Sequence, residues 1–244
     1  EPAGLRTTLK KPLKWPGIRD RPGRHPSGAI AFSTKCRAMS DPASDQGLAT
    51  RLVHAGRVRS AFGETSEALF LSSGFVYGRA EDAEARFADR EPGFMYSRVS
   101  NPTVRMFEQR MAMIEGAEEG TATATGMAAV LSALMCQLRA GDRVVASSLL
   151  FGSCHYILTE VLPRFGIEVE LVDGKSVEAW AKALAKPTRA VFLETPANPT
   201  LELVDLPAVC ALAHEAGARV IVDNVFATPL LQRPLELGAD IVMY

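Results

Sequence analysis

Ala190-Val191-Phe192-Leu193-Glu194-Thr195-Pro196-Ala197-Asn198-Pro199-Thr200 and, one helix later, Val220-Ile221-Val222-Asp223-Asn224 carry the reading of the fold. Each stretch opens as a compact apolar run and turns polar at its far end. Short apolar runs bounded in this way read as strands buried on both faces. Between them, Leu206 to Ala216 has helical spacing and Gly217 ends it. Strand, loop, helix and strand in that order form the repeating unit of a parallel sheet.

The same alternation extends to both sides. Arg143-Val144-Val145-Ala146-Ser147 is a third short buried strand, and Ile167 to Leu171 alternates like a fourth. Val130, Leu131, Leu134 and Leu138 recur at helical spacing before Gly141, and Tyr156 to Phe165 is helical up to Gly166. Val104, Phe107, Met111 and Ile114 share one face of a helix that ends at Gly116. Ala239-Asp240-Ile241-Val242-Met243 reads as a last strand, and the chain stops at Tyr244 with no helix to cover it. A fragment of a larger α/β protein is expected, with a mostly parallel sheet and helices on both faces.

Composition narrows the classes. With 244 residues, 47% hydrophobic and 23% charged, the chain is neither disordered, collagen-like nor coiled coil. No apolar run approaches the ~18 residues of a spanning helix, so no membrane role is expected. A net charge of −1 speaks against binding nucleic acid by bulk attraction. Cys36, Cys136, Cys154 and Cys210 lie far apart, which fits neither a zinc framework nor a disulfide scaffold and points to a reduced, cytoplasmic setting.

The charge is uneven. Residues 1–38 hold nine basic side chains against Glu1 and Asp20, a surplus of seven, together with five prolines. This basic, Pro-rich leader is expected to be disordered or not native. Met39-Ser40-Asp41-Pro42 reads as a natural start, with a disordered arm and a targeting segment as alternatives.

In an α/β sheet the ligand lies at the carboxyl ends of the strands. Dinucleotide, phosphate-loop and nucleophile-elbow fingerprints are absent, and the four histidines lack metal-ligand spacing. Small residues lead through Thr125 to Gly126-Met127 where a helix begins, a geometry that offers backbone N–H groups to a phosphate. A tight turn without a ligand would look the same. Asp223 places a carboxylate at the tip of a buried strand, either to cap the next helix or to pair with a cationic ligand group such as a protonated pyridine. Asn198 lies in a loop stiffened by Pro196 and Pro199, which could be only a stiff turn. Tyr96-Ser97-Arg98 could grip a phosphate or stand as a solvated loop.

Five motifs in order make the joint pattern specific: Y-S-R-x-x-N-P-T from Tyr96, T-G-M at Gly126, L-F-G-S at Phe151, E-T-P-A-N-P-T from Glu194 and V-D-N-x-F-A-T-P from Val222, with Q-R-P-L-x-L-G-A-D after it. From about Thr50 to Tyr244 the chain resembles the Cys/Met-metabolism (trans-sulfuration) family of pyridoxal-phosphate enzymes. The resemblance implies an aspartate-aminotransferase-like, fold type I large domain over 96–244, incomplete at its C-terminus. It also implies a 39–95 segment that contributes to dimer contacts and a homotetramer built as a dimer of dimers.

Site roles follow from the same resemblance. Gly126 and Met127 are expected at the cofactor phosphate, Phe151 stacked on the pyridine where the family commonly has Tyr, Asn198 near the phenolic oxygen and Asp223 on the pyridinium nitrogen. Tyr96 and Arg98 would reach the phosphate held by a neighbouring subunit. The family's Schiff-base lysine is expected just after Tyr244, so no catalytic residue lies within the chain and the fragment is expected to be inactive alone. Phe151 and the L-F-G-S motif favour γ-replacement on O-succinylhomoserine with sulfide to give homocysteine. Cystathionine γ-synthase, a γ-lyase and a non-catalytic truncated remnant are the alternatives.

Overall fold

The computed structural model describes residues 46–244, so the leader and Met39 lie outside the described residues. Five strands, β1 (Arg143–Ser147), β2 (Glu168–Val172), β3 (Ala190–Glu194), β4 (Arg219–Asp223) and β5 (Ile241–Met243), form one sheet. Its order is β2-β1-β3-β4-β5, and all four pairings are parallel. The expected parallel sheet is present, each strand within two residues of its predicted place.

Side chains leave a strand alternately to its two faces, and the helices divide accordingly. Val145, Val191, Leu193, Val220 and Val222 face α6 (Val177–Leu184) and α7 (Leu206–Glu215), packing on Trp180, Leu206 and Val209. Val144, Ala146, Phe192 and Ile221 point the other way, onto Val130 and Leu134 of α4 (Gly126–Met135) and onto Leu158 and Leu162. The central strands are therefore apolar throughout because neither face meets water. β2, at one edge, shows the opposite habit: Glu168 and Glu170 stand outward, and Arg143 of β1 pairs with both.

The segment after β1 departs from a simple helix. α5 (Gly152–Tyr156) passes into a π turn at Ile157–Val161 and a 3-10 turn at Leu162–Phe165. Pro163 has no N–H to give an α-helical ladder, which accounts for the tightened end. α3 (Pro102–Glu115) forms where expected, with the Asn101 side chain accepting from Thr103 N–H and Gly116 at φ +72° closing it. Its face differs from the predicted one. Met106 and Ile114 are buried, whereas Val104 is exposed and Phe107 is 55% exposed.

Before α3 the chain is sparsely ordered. α1 (Leu48–His54) and α2 (Ala80–Phe87) bury none of their residues, and a lone antiparallel bridge joins Gly74 to Tyr96. Polar contacts tie residues 68–70 to the start of α3: Asn101 donates to the Phe70 carbonyl, Phe70 N–H donates to Thr103 Oγ1, and that hydroxyl donates to the Ala68 carbonyl.

Candidate functional site

From β1 the chain runs out to β2, then crosses back over β1 to β3. That reversal opens a crevice at the carboxyl ends of β1 and β3, the place where open α/β sheets hold ligands. A cleft of about 380 Å³ lies there. Gly126 and Met127 enter it from α4, Phe151 from the loop after β1, Asn198 from the loop after β3 and Asp223 from the tip of β4. Five of the seven predicted cofactor residues, drawn from four separate segments, thus share one wall.

Tyr96 and Arg98 do not join them. Both are exposed, and the Arg98 guanidinium lies over the Tyr96 ring, 5.5 Å from its centre.

Local structure explains how each residue is presented. Thr125 caps α4, its hydroxyl accepting from Ala128 N–H at 3.1 Å. Gly126 and Met127 fall in the first turn, where no intrahelical acceptor is available to their amides. A Cβ at Gly126 would lie 3.4 Å from the Tyr244 carbonyl oxygen, so the end of β5 closes on the start of α4. The loop beyond β3 is braced by Thr195, whose hydroxyl accepts from Val204 N–H and whose carbonyl accepts from Gln232 Nε2. The Thr195–Pro196 and Asn198–Pro199 bonds in it are cis. Asn224, fully buried, donates to the Gln232 carbonyl and to the Tyr244 hydroxyl, and so ties β4 to the end of β5.

The floor of the cleft is acidic and buried. Asp223 is buried; one carboxylate oxygen accepts from Val225 N–H at 3.1 Å and the other lies 3.9 Å from the Cys154 thiol. Burial raises the Asp223 pKa. Glu194 is 1% exposed and stands beside it in register across β3 and β4. Burial first, then the Asp223 charge, push Glu194 up to about 7, with the Phe151 and Asn198 amides pulling the other way. Burial and the two carboxylates push the Cys154 thiol up to about 12.

Glu194, Cys154 and Tyr244 line the cleft and were not singled out from sequence as site residues. Glu194 carried the same signal as Asp223, a carboxylate straight after an apolar run. Cys154 and Tyr244 carried none.

The sequence pattern of the Cys/Met metabolism PLP-dependent enzyme family matches residues 49–244. The chain belongs to that family. Among members of this Cys/Met family, it is 52% identical over 208 residues to the O-succinylhomoserine sulfhydrylase of Mycobacterium tuberculosis, covering 85% of this chain and 50% of that protein. It is 43% identical over 199 residues to the L-methionine gamma-lyase of Porphyromonas gingivalis, covering 81% of this chain and 50% of that one. A crystal structure assigned as an O-acetylhomoserine (thiol)-lyase from Campylobacter jejuni superposes with a TM-score of 0.77 at 30% identity, over 80% of this chain and 49% of the other. That structure contains a pyridoxyl-lysine monophosphate. The chain spans about half the length of the relatives it matches.

The cleft fits the family's cofactor on its own chemistry. Unpaired amides and the positive end of α4 suit a phosphate. A buried carboxyl with a raised pKa suits a cationic ring nitrogen, because an opposite charge within ~4–6 Å restores the ionised form. Among the described residues, no lysine lines the cleft: Lys182 is on α6, and Lys175 and Lys186 flank it.

Proposed function

We propose that this cleft holds pyridoxal 5'-phosphate, and that the protein of which the chain is part carries out γ-replacement on O-succinylhomoserine with sulfide to give homocysteine. One observation carries the first half: a helix N-terminus and a buried strand-end carboxylate, which recognise opposite charges, face one cleft. In this reading the Gly126 and Met127 amides bind the phosphate and Asp223 holds the proton on the ring nitrogen. Phe151 would stack on the ring and shield it from water, and Asn198 would donate to the phenolic oxygen. When bound, the group supplies an electron-withdrawing ring that takes up negative charge from the substrate's α-carbon. Asp223 would aid this by keeping the nitrogen cationic, and its burial would strengthen that ion pair.

The sulfhydrylase assignment is supported by the 52% identity to the mycobacterial enzyme and by Phe151, which brings no phenol to the cleft. A methionine γ-lyase is the second reading, supported by the relative at 43% identity. The assay that separates them follows the complete gene product with two substrate sets. Homocysteine from O-succinylhomoserine and sulfide supports the first reading, and release of methanethiol from methionine without that replacement supports the second. Asp223→Ala should abolish either activity, and an active Asp223→Ala enzyme would refute the cofactor geometry.

The working unit proposed here is a dimer within a homotetramer, in which Tyr96 and Arg98 reach the phosphate of a neighbouring copy. Their exposure outside the chain's own cleft supports this, as do the exposed apolar side chains before α3.

A further inference from the structure

Glu194 is a buried acid without a cation. It takes part in none of the ion pairs among the described residues, and its Oε1 is buried with no partner in hydrogen-bonding geometry. Burying a carboxyl in this way is costly, and an apolar side chain would fill the end of β3 at less expense. What Glu194 does instead is hold main chain. Its Oε2 accepts the Phe151 N–H at 2.6 Å, from a residue 43 positions earlier. The Asn198 N–H also bears on the same carboxyl.

These two amides belong to different loops. Phe151 lies in the loop that leaves β1, and Asn198 in the loop that leaves β3. Both loops present side chains to the cleft, and the first is held from beneath by Glu194 on its floor. Phe151 is 40% exposed, and apart from Glu194 its backbone is held by the helix it heads, its carbonyl accepting from His155 N–H at 3.0 Å.

We propose that Glu194 is a positioning residue, which pins the loop leaving β1 to the end of β3 and so fixes the Phe151 ring at the cleft, where it lies against a planar aromatic ligand. The grip on Phe151 is independent of the cofactor reading, and only the ligand arm of its test rests on that reading.

The experiment uses the complete gene product freed of its cofactor, with Glu194→Gln and Glu194→Leu beside it. Hydrogen exchange is read at the Phe151 amide, and pyridoxamine 5'-phosphate, which forms no covalent bond to the protein, is titrated through its own fluorescence. Gln keeps an acceptor and should preserve both the Phe151 protection and the affinity to within about threefold. Leu removes the acceptor, so Phe151 should exchange at least about tenfold faster and the ligand should bind about tenfold more weakly. Unchanged Phe151 exchange in Glu194→Leu overturns the proposal, as does faster exchange with unchanged affinity. If Glu194→Leu does not fold, the parent decides: a Phe151 amide exchanging as fast as that of exposed Gly152 overturns it. A parent that binds no pyridoxamine phosphate, yet loses Phe151 protection in Glu194→Leu, refutes the cofactor reading and supports the grip.

Discussion

The sheet between Arg143 and Met243 and the stretch between Gln46 and Gly78 treat apolar side chains in opposite ways. In the sheet, Val144, Val191, Phe192, Leu193 and Ile221 are wholly buried. In the earlier stretch, Phe62, Leu71 and Val76 are more than 90% exposed. Composition does not separate the two regions, since both are rich in large apolar residues. The sheet finds helices within its own chain to cover both faces, whereas the earlier stretch meets α3 at Ala55 and leaves its large apolar side chains uncovered. Large apolar side chains left in water together mark a surface meant for another body, here assigned to a second copy of the chain.

The sharpest way to break this contrast is to cut into the covered side. Phe192→Ala leaves a cavity under α4 and should cost about 3–5 kcal/mol, measured by urea denaturation. A loss under ~1 kcal/mol would mean that the sheet is not the stabilising core.

Next in size is Glu194, a polar residue on the covered side. Its pKa is raised from 4.5 to about 7, so the folded state holds a proton that the unfolded chain releases. This contribution is intact below pH 4.5 and is lost as pH rises through 7. Glu194→Gln should therefore gain stability over the parent between pH 5 and pH 8, by an amount on the order of 3 kcal/mol. Parallel pH profiles for the two proteins would contradict the assigned burial.

Smallest is the uncovered side. Phe62→Ser should change the stability of the isolated chain by less than about 0.5 kcal/mol. It should nonetheless weaken self-association, seen as a lower sedimentation coefficient at matched concentration. Unaltered association would remove Phe62 from the interface.

The same contrast explains what could be read from the residues alone. The β3 and β4 strands were legible because short apolar runs ending in a carboxylate have few other uses. Gly116 and Gly217, with φ near +72° and +73°, marked helix ends that a side chain would strain. Asp223, Asn198 and Gly126 were legible as a set because strand ends and helix starts converge at one edge of a parallel sheet. The α3 face was misread at Val104 and Phe107 because periodicity registers apolar side chains without saying which body buries them. Glu194 was passed over because, in one dimension, it is the first residue of a loop, and its partner Phe151 lies 43 residues away. The 3-10 turn behind α5 could have been expected from Pro163, which gives no N–H to a helical ladder, but helical spacing alone does not register it.

The charged edge of the sheet has a consequence for handling the protein. A new strand docking alongside β2 would have to strip water from Glu168 and Glu170, so that flank is guarded against strand-to-strand polymerisation. Removing that charge, as in Glu168→Val with Glu170→Val, should therefore open this flank to sheet extension, read as faster aggregation at matched concentration.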